Sequence, residues 1–323
     1  MTTDKLLRVA GATLFSAWLL AAASVAAKAQ GYPSKPLRIV VGPGSDVVMR
    51  ALTQRISPAL GQQMIVEQLP GAGGVIAAQT VAKAAPDGHT LLATTSSFAI
   101  NDVLRKDAGF SLLRDFEPVG LVGVGYGLIF APASLKANSL PELLALAKAA
   151  PDTLNCASSG IGTPAHLGCE MLATYGKVVI PHVPYNGIGP ALIDLMAGRV
   201  HVVFALVSAS MVQDPRLKVL AATGKSRNTA APNAPTVAEA GLPQLEQFRG
   251  WNGIHVPRGT PKDVIARLSA EIHKAVAADE LKEKILAAGL EPAGGTIDAF
   301  TAFVKDDLER WTRVIADTGA KPD

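Results

Sequence analysis

The sequence predicts an α/β protein of two βαβ lobes, on three observations. Short β-branched apolar runs alternate with segments whose apolar residues recur at helical spacing, the pattern of βαβ units. The alternation is completed in the first half of the chain and begins again in the second. The 323 residues suffice for about two domains, yet no repeat period and no low-complexity linker divides them. Lobes without a flexible linker should be joined by crossing strands, as in proteins that close about a hinge.

The elements follow in order. Leu37 to Val41 reads as a strand, Asp46 to Leu60 as a helix, Met64 to Glu67 as a strand and Val75 to Lys83 as a helix. Thr90 to Thr94 is a strand after the Pro86-Asp87-Gly88 turn. Ser139 and Glu142 form a capping box for a helix to about Ala149, followed by a strand at Leu154 to Ser158 and a helix from Pro164 to Tyr175. Strands at Val178 to Val183 and Val200 to Leu206 flank a helix from Gly189 to Ala197, and Leu217 to Ala222 is one more strand. Thr236 and Glu239 form a second capping box, on a one-turn helix closed by Gly241. Trp251 to Val256 reads as a strand, Thr260-Pro261 opens a helix through Ala278, and a last helix runs from Ile297 to about Thr318. Gly123 to Phe130 and Gly250 to His255 are the expected crossings. They divide the mature chain into a first lobe of 30–127 plus 251–323 and a second of 128–250.

Residues 1–29 stand apart. Lys5 and Arg8 precede an apolar stretch from Val9 to Val25, and Ala27-Lys28-Ala29 has the form of a cleavage site, so an export signal should be removed after Ala29. No cysteine near that point suggests a lipid anchor. Losing three basic residues and one acid lowers the net charge of +3 to +1, and the mature protein should be periplasmic. Composition narrows the function classes further. With 49% hydrophobic and 18% charged residues the chain is neither disordered nor a coiled coil, and without a basic block no nucleic-acid partner is expected. Cys156 and Cys169 cannot build a zinc cluster. Export permits a disulfide between them, but a strand-to-helix placement often holds the Cα atoms too far apart, which favours two buried thiols.

In a parallel α/β sheet, ligands bind where strand ends lead into helix N-termini, whose free amides favour anions. Five small, polar loops hold that position: Gly42 to Asp46, Pro70 to Gly74, Thr94 to Ser97, Ser158 to Thr163, and Tyr185 to Gly187. Glycine admits close approach and hydroxyls donate neutral hydrogen bonds, so the set suits a small carboxylate. The expected contacts are Gly44, Ser45, Asp46, Thr95, Ser96 and Ser97 from the first lobe, and Ser159, Gly162, Thr163, His166, Tyr185 and Asn186 from the second. Asp46 could instead cap its helix, and His166 could simply fix its loop. Gly71 to Gly74 lacks the lysine of a phosphate-binding loop and the third glycine of a dinucleotide fingerprint, and no metal or nucleophile motif is present. No cofactor, metal or catalytic group is therefore expected.

Several runs, in order along the mature chain, carry a family likeness. They include Tyr32-Pro33-Ser34-Lys35-Pro36-Leu37-Arg38-Ile39-Val40-Val41, Pro70-Gly71-Ala72-Gly73-Gly74, Ala84 to Gly88, Asp115 to Val119, Gly162-Thr163 with His166-Leu167, His182-Val183-Pro184-Tyr185, Pro235 to Gly241, Trp251-Asn252-Gly253 and Pro257 to Pro261. Together they resemble the Bug family, solute-binding receptors of tripartite tricarboxylate transporters. The resemblance implies a type II periplasmic-binding-protein fold: two lobes joined by two crossing strands around a ligand cleft. It also implies a small organic acid, a carboxylate or aromatic acid, held mostly by amides and hydroxyls. The partners would be membrane transporter subunits or a sensor kinase, and the protein itself a monomer. One departure stands out: between Val41 and Asp46 lie only Gly42-Pro43-Gly44-Ser45, where the family has a longer loop with an aromatic residue. Either the cavity is larger or binding is weaker. The competing function is an exported hydrolase using Asp46 and His166 across the cleft, which requires the two within hydrogen-bond reach.

Overall fold

The computed structural model describes residues 31–42, 44, 46–206 and 209–322; the expected export signal with its cleavage point, and Ser45, lie outside the described residues. The chain opens with β1 (Leu37–Val41), α1 (Asp46–Leu60), β2 (Met64–Gln68), α2 (Val75–Ala82), β3 (Thr90–Thr95) and α3 (Ser96–Leu104). A short α4 (Leu112–Asp115) leads into β4 (Phe116–Tyr126), and after Gly127 comes β5 (Leu128–Pro132). Next are α5 (Leu140–Ala149), β6 (Cys156–Ser158), α6 (Pro164–Gly176), β7 (His182–Pro184), α7 (Ile188–Met196), β8 (Val202–Ala205), α8 (Ala209–Val212) and β9 (Leu217–Ala222). The chain then closes with β10 (Arg249–Pro257), α9 (Lys262–Val276), α10 (Asp279–Ala287), β11 (Glu291–Pro292) and α11 (Ile297–Thr318).

The strands form two sheets, in the orders β11-β4-β10-β3-β1-β2 and β7-β6-β8-β5-β9. Neighbours β2, β1 and β3 are parallel, as are β7, β6 and β8. Both sheets are nonetheless mixed, because β10 runs antiparallel to β3 and β4, and β5 antiparallel to β8 and β9. Of the reversed strands, β5 and β10 enter from the other lobe. The chain leaves the first sheet along β4, turns at Gly127 and enters the second as β5; β10 brings it back.

Helices form where the sequence gives one apolar face. In α1 the buried Val48, Leu52, Ile56 and Leu60 fall four apart and Met49 three before Leu52, the spacing of a single helix face. In α11 the buried stripe is Phe300, Val304, Asp307, Trp311 and Val314, with a carboxylate in its middle. This helix packs on α3, β4 and α6, so one core cluster reaches from Val40 and Leu92 of the first sheet to Phe204 of the second.

Several expectations are corrected. Of Val178 to Val183 only the end is a strand, extended to Pro184. The Thr236–Glu239 capping bonds form, at 2.7 and 3.1 Å, but on a hydrogen-bonded turn rather than a helix. Helix α10, after the helix expected through Ala278, was not foreseen. Cys156 and Cys169 are disulfide-bonded, not two thiols: α6 lies back across β6 closely enough to bring their Cα atoms to 5.6 Å, inside the usual bridging range.

Candidate functional site

A cavity of about 330 Å³ opens where the carboxyl ends of β3, β6 and β8 face one another, lined also by Gly44, beyond the end of β1. Three helices begin at its wall. Thr95 caps α3, its Oγ1 accepting from Ser97 N at 3.3 Å, and Thr163 caps α6, accepting from His166 N at 3.4 Å. Gly187, which precedes α7 with no side-chain cap, adopts φ 101°, a conformation natural to glycine. Each N-terminus presents unpaired amides and a partial positive charge of about half a unit.

Of the expected contacts, Gly44, Thr95, Ser96, Ser97, Ser159 and Thr163 line this cavity. Their hydroxyls are not equally available. Ser96 Oγ accepts from Trp251 N at 2.9 Å, and Thr163 Oγ1 donates to Gly160 O at 2.6 Å. Ser97 Oγ, Ser159 Oγ and the side-chain amide of Asn252 have no hydrogen-bond partner among the described residues. No charged side chain among the described residues lines the cavity.

The other expected contacts lie elsewhere. Asp46 is the first residue of α1 and pairs with Arg50 at 2.9 Å, one helical turn away. Gly162, at φ 74°, sits behind the wall, where its carbonyl accepts from Asn101 Nδ2 at 2.9 Å and a Cβ would run into that amide. Tyr185 donates to Asp194 at 2.7 Å, and Asn186 is exposed. His166 is buried behind the cavity: its Nδ1 accepts from Gly162 N at 3.3 Å and its ring lies on that of His182, centroids 4.5 Å apart. Burial, with the neighbouring His182 charge second, pushes the His166 pKa down to about 4; burial alone does the same to His182. Glu170 lies 3.8 Å from His166 Nε2, with its pKa raised by burial. This trio has metal-binding residue types within 4.8 Å of one another. However, the Gly162 amide takes the Nδ1 lone pair of His166, leaving the proton on Nε2, and His182 Nε2 is engaged by Ser158 Oγ at 2.7 Å. The trio does not suit a metal.

Apart from Gly187, in the expected loop Tyr185 to Gly187, the remaining wall was not foreseen as a site. Phe204, Ala205 and Leu206 come from the end of β8, Phe248, Gly250, Trp251 and Asn252 from the start of β10, and Pro164, Ala165, Gly187 and Ile188 from the helix starts. A Cβ on Gly250 would run into Leu206, so glycine here lets the two segments meet. Trp251 is fixed: its Nε1 donates to Asp307 Oδ2 at 2.9 Å and its ring meets Phe300 and Phe303 edge-on. The signal that could have revealed the β10 residues is strand direction. Because β10 is antiparallel, pairing Asn252 with Thr95, its beginning lies at the carboxyl edge of the sheet.

Two α/β lobes around an uncharged, helix-rimmed cleft define a two-lobed solute-binding protein. Solved structures agree: periplasmic binding protein BugD matches at TM-score 0.81 and 30% identity, over 90% of this chain and 99% of that one. Rpa4515 of R. palustris, solved with adipate, matches at TM-score 0.83 and 30% identity, over the same shares. Residues 48–320 match the model of the tripartite tricarboxylate transporter family receptor, and Protein BugT of Bordetella pertussis is 33% identical over 99% of both chains. The chain belongs to the tripartite tricarboxylate transporter receptor family. Among the described residues no helix is long and apolar enough to cross a membrane.

Proposed function

We propose that this protein is a monomeric periplasmic receptor that captures a small organic acid between its lobes and delivers it to the membrane subunits of a tripartite tricarboxylate-type transporter. The observation that carries the reading is a cavity rimmed by three helix N-termini and free hydroxyls, with no basic side chain among its described residues. Such a rim holds a carboxylate through amides and hydroxyls. The adipate in Rpa4515 supports the ligand class. The lobes are 30–127 with 251–323, and 128–250, after removal of 1–29. The contacts are Thr95, Ser97, Ser159 and Asn252, with the first-turn amides of α3, α6 and α7.

The reading is non-catalytic. Asp46 is paired with Arg50, His166 is engaged by Gly162, and neither lines the cavity, which supports binding without bond cleavage. A thermal-shift screen of the mature, unliganded protein against mono-, di- and tricarboxylates tests it. A ligand at 100 times its Kd adds about 2.7 kcal/mol of stability. Stabilisation by at least one acid is expected, and none by any acid overturns the proposal.

A further inference from the structure

Resting on that solute-binding reading, we infer that the site selects monoanionic acids with an apolar, ring-sized body over dicarboxylates. Apart from Asn252, the free polar groups and the large apolar side chains come from different segments of the chain. Thr95, Ser97 and Asn252 stand together, because Asn252 pairs with Thr95 across β10 and β3. Ser159 faces the cavity from the other lobe beside the α6 and α7 starts, through the bond from Gly187 N to Ser159 O at 3.2 Å. These groups, with the helix starts, make one carboxylate clamp between the lobes.

Phe204 and Leu206, at the end of β8, and Phe248 and Trp251, where the chain passes back between lobes, give the wall its large apolar side chains. Phe204 and Phe248 pack with ring centroids 5.3 Å apart. Trp251 has one polar atom, and Asp307 engages it, so the indole offers the cavity only hydrocarbon and π surface. A second carboxylate placed there would lose its water and meet no donor among the described residues, and a desolvated charge without a partner is strongly disfavoured. An aromatic or alicyclic body meets faces and edges suited to ring packing. The cavity of about 330 Å³ lies at the small end of ligand sites, which start near 300 Å³, a size that suits a single substituted ring.

Isothermal titration calorimetry of the mature protein, unfolded and refolded to strip retained ligand, tests this with benzoate, cyclohexanecarboxylate, adipate, malate and benzamide. The two ring monocarboxylates should bind at least ~100-fold tighter than adipate or malate, about 2.8 kcal/mol at 1.4 per factor of ten, and benzamide should bind far more weakly than benzoate. Adipate or malate binding as tightly as benzoate overturns the selectivity and leaves the carboxylate-receptor reading standing. Benzamide equal to benzoate, or no binding by any acid, removes the anion clamp and both readings with it.

Discussion

Replacing Asp307 by alanine should be among the costliest single changes in the protein. Its carboxylate is fully buried on α11 and accepts from Trp251 Nε1 at 2.9 Å, Trp311 Nε1 at 3.1 Å and Arg249 Nε at 3.1 Å, with Arg310 as a fourth donor. Arg249 also bonds Asp306 at 2.6 Å, so the cluster of two arginines and two aspartates is neutral. Arg249 retains Asp306 after the change, but Arg310, whose side chain is 8% exposed, loses its only carboxylate partner. Breaking a buried pair from one side costs about 3–5 kcal/mol, and two indole N–H groups without acceptors push the value to the top of that range. That is a large part of the ~5–15 kcal/mol by which a domain is stable. Urea unfolding followed by far-UV circular dichroism measures the loss. Replacing both members, Asp307→Leu with Arg310→Met, should recover much of it, because no charge is then stranded. A loss below ~1 kcal/mol for Asp307→Ala would refute the reasoning and mean that water reaches the cluster.

Three further outcomes follow from the same geometry. Thr163→Ala uncaps α6 and frees Gly160 O; it should cost about 1 kcal/mol of stability and weaken acid binding several-fold in calorimetry, and unchanged affinity would remove the α6 start from the anion clamp. Reducing the Cys156–Cys169 bridge, which spans 13 residues, should cost about 3 kcal/mol by loop entropy, read as a lower urea midpoint in dithiothreitol; an unmoved midpoint counts against it. The third concerns pH: His166 and His255 are buried, with pKa values pushed by burial from 6.5 down to about 4 and about 3. Both are neutral in folded and unfolded chains above pH 6.5. As pH falls below 6.5 the unfolded chain binds protons that the folded one refuses, so stability is lost at up to ~1.4 kcal/mol per pH unit per histidine. Denaturation at pH 7.5 and 5.5 should differ by roughly 3 kcal/mol on that slope, with the partly exposed His182 adding less; equal stability at the two values would show that these imidazoles are hydrated.

What the sequence made legible was what local chemistry decides. Strong periodicity or turn punctuation placed β1, α1, β9 and α11 within a residue of their observed ends. Polar loops at the ends of parallel strands pointed to Thr95, Ser97, Ser159 and Thr163, which line the cavity. What remained hidden depends on strand direction and on packing between distant segments. Trp251 and Asn252 read as the start of a strand of unknown direction, and only the antiparallel entry of β10 puts them at the carboxyl edge of the sheet. Phe204 and Leu206 read as strand residues, with nothing to mark them as cavity wall. His166 occupied a suggestive loop position, but burial beneath Gly162 and the stack on His182 turn it inward. Helix α3 was missed because it begins with Ser96-Ser97, residues that favour caps and turns; its buried Phe98 and Ile100 override that preference.

The segments that join the lobes also build part of the apolar wall, which ties ligand size to lobe position. Thr223 sits between the two crossings: its Oγ1 accepts from Gly127 N at 2.9 Å and lies 3.1 Å from Gly127 O and 2.9 Å from Phe248 O. One hydroxyl proton can serve only one of those two carbonyls at a time. A Cβ on Gly127 would run into the Phe248 ring, so the first crossing bears directly on the side chain that walls the cavity. Trp251 is fastened from both sides, its amide to Ser96 in the clamp and its indole to Asp307 on the helix that spans both lobes. A change in lobe angle therefore moves the Trp251 surface relative to Phe204, Leu206 and Phe248. A carboxylate in the clamp touches both lobes, and a ligand body that fills the space between these surfaces adds a second hold on that angle. Recognition of the acid end and recognition of the apolar body are thus separate tasks in this fold, one carried by helix starts and the other by the end of β8 and the start of β10.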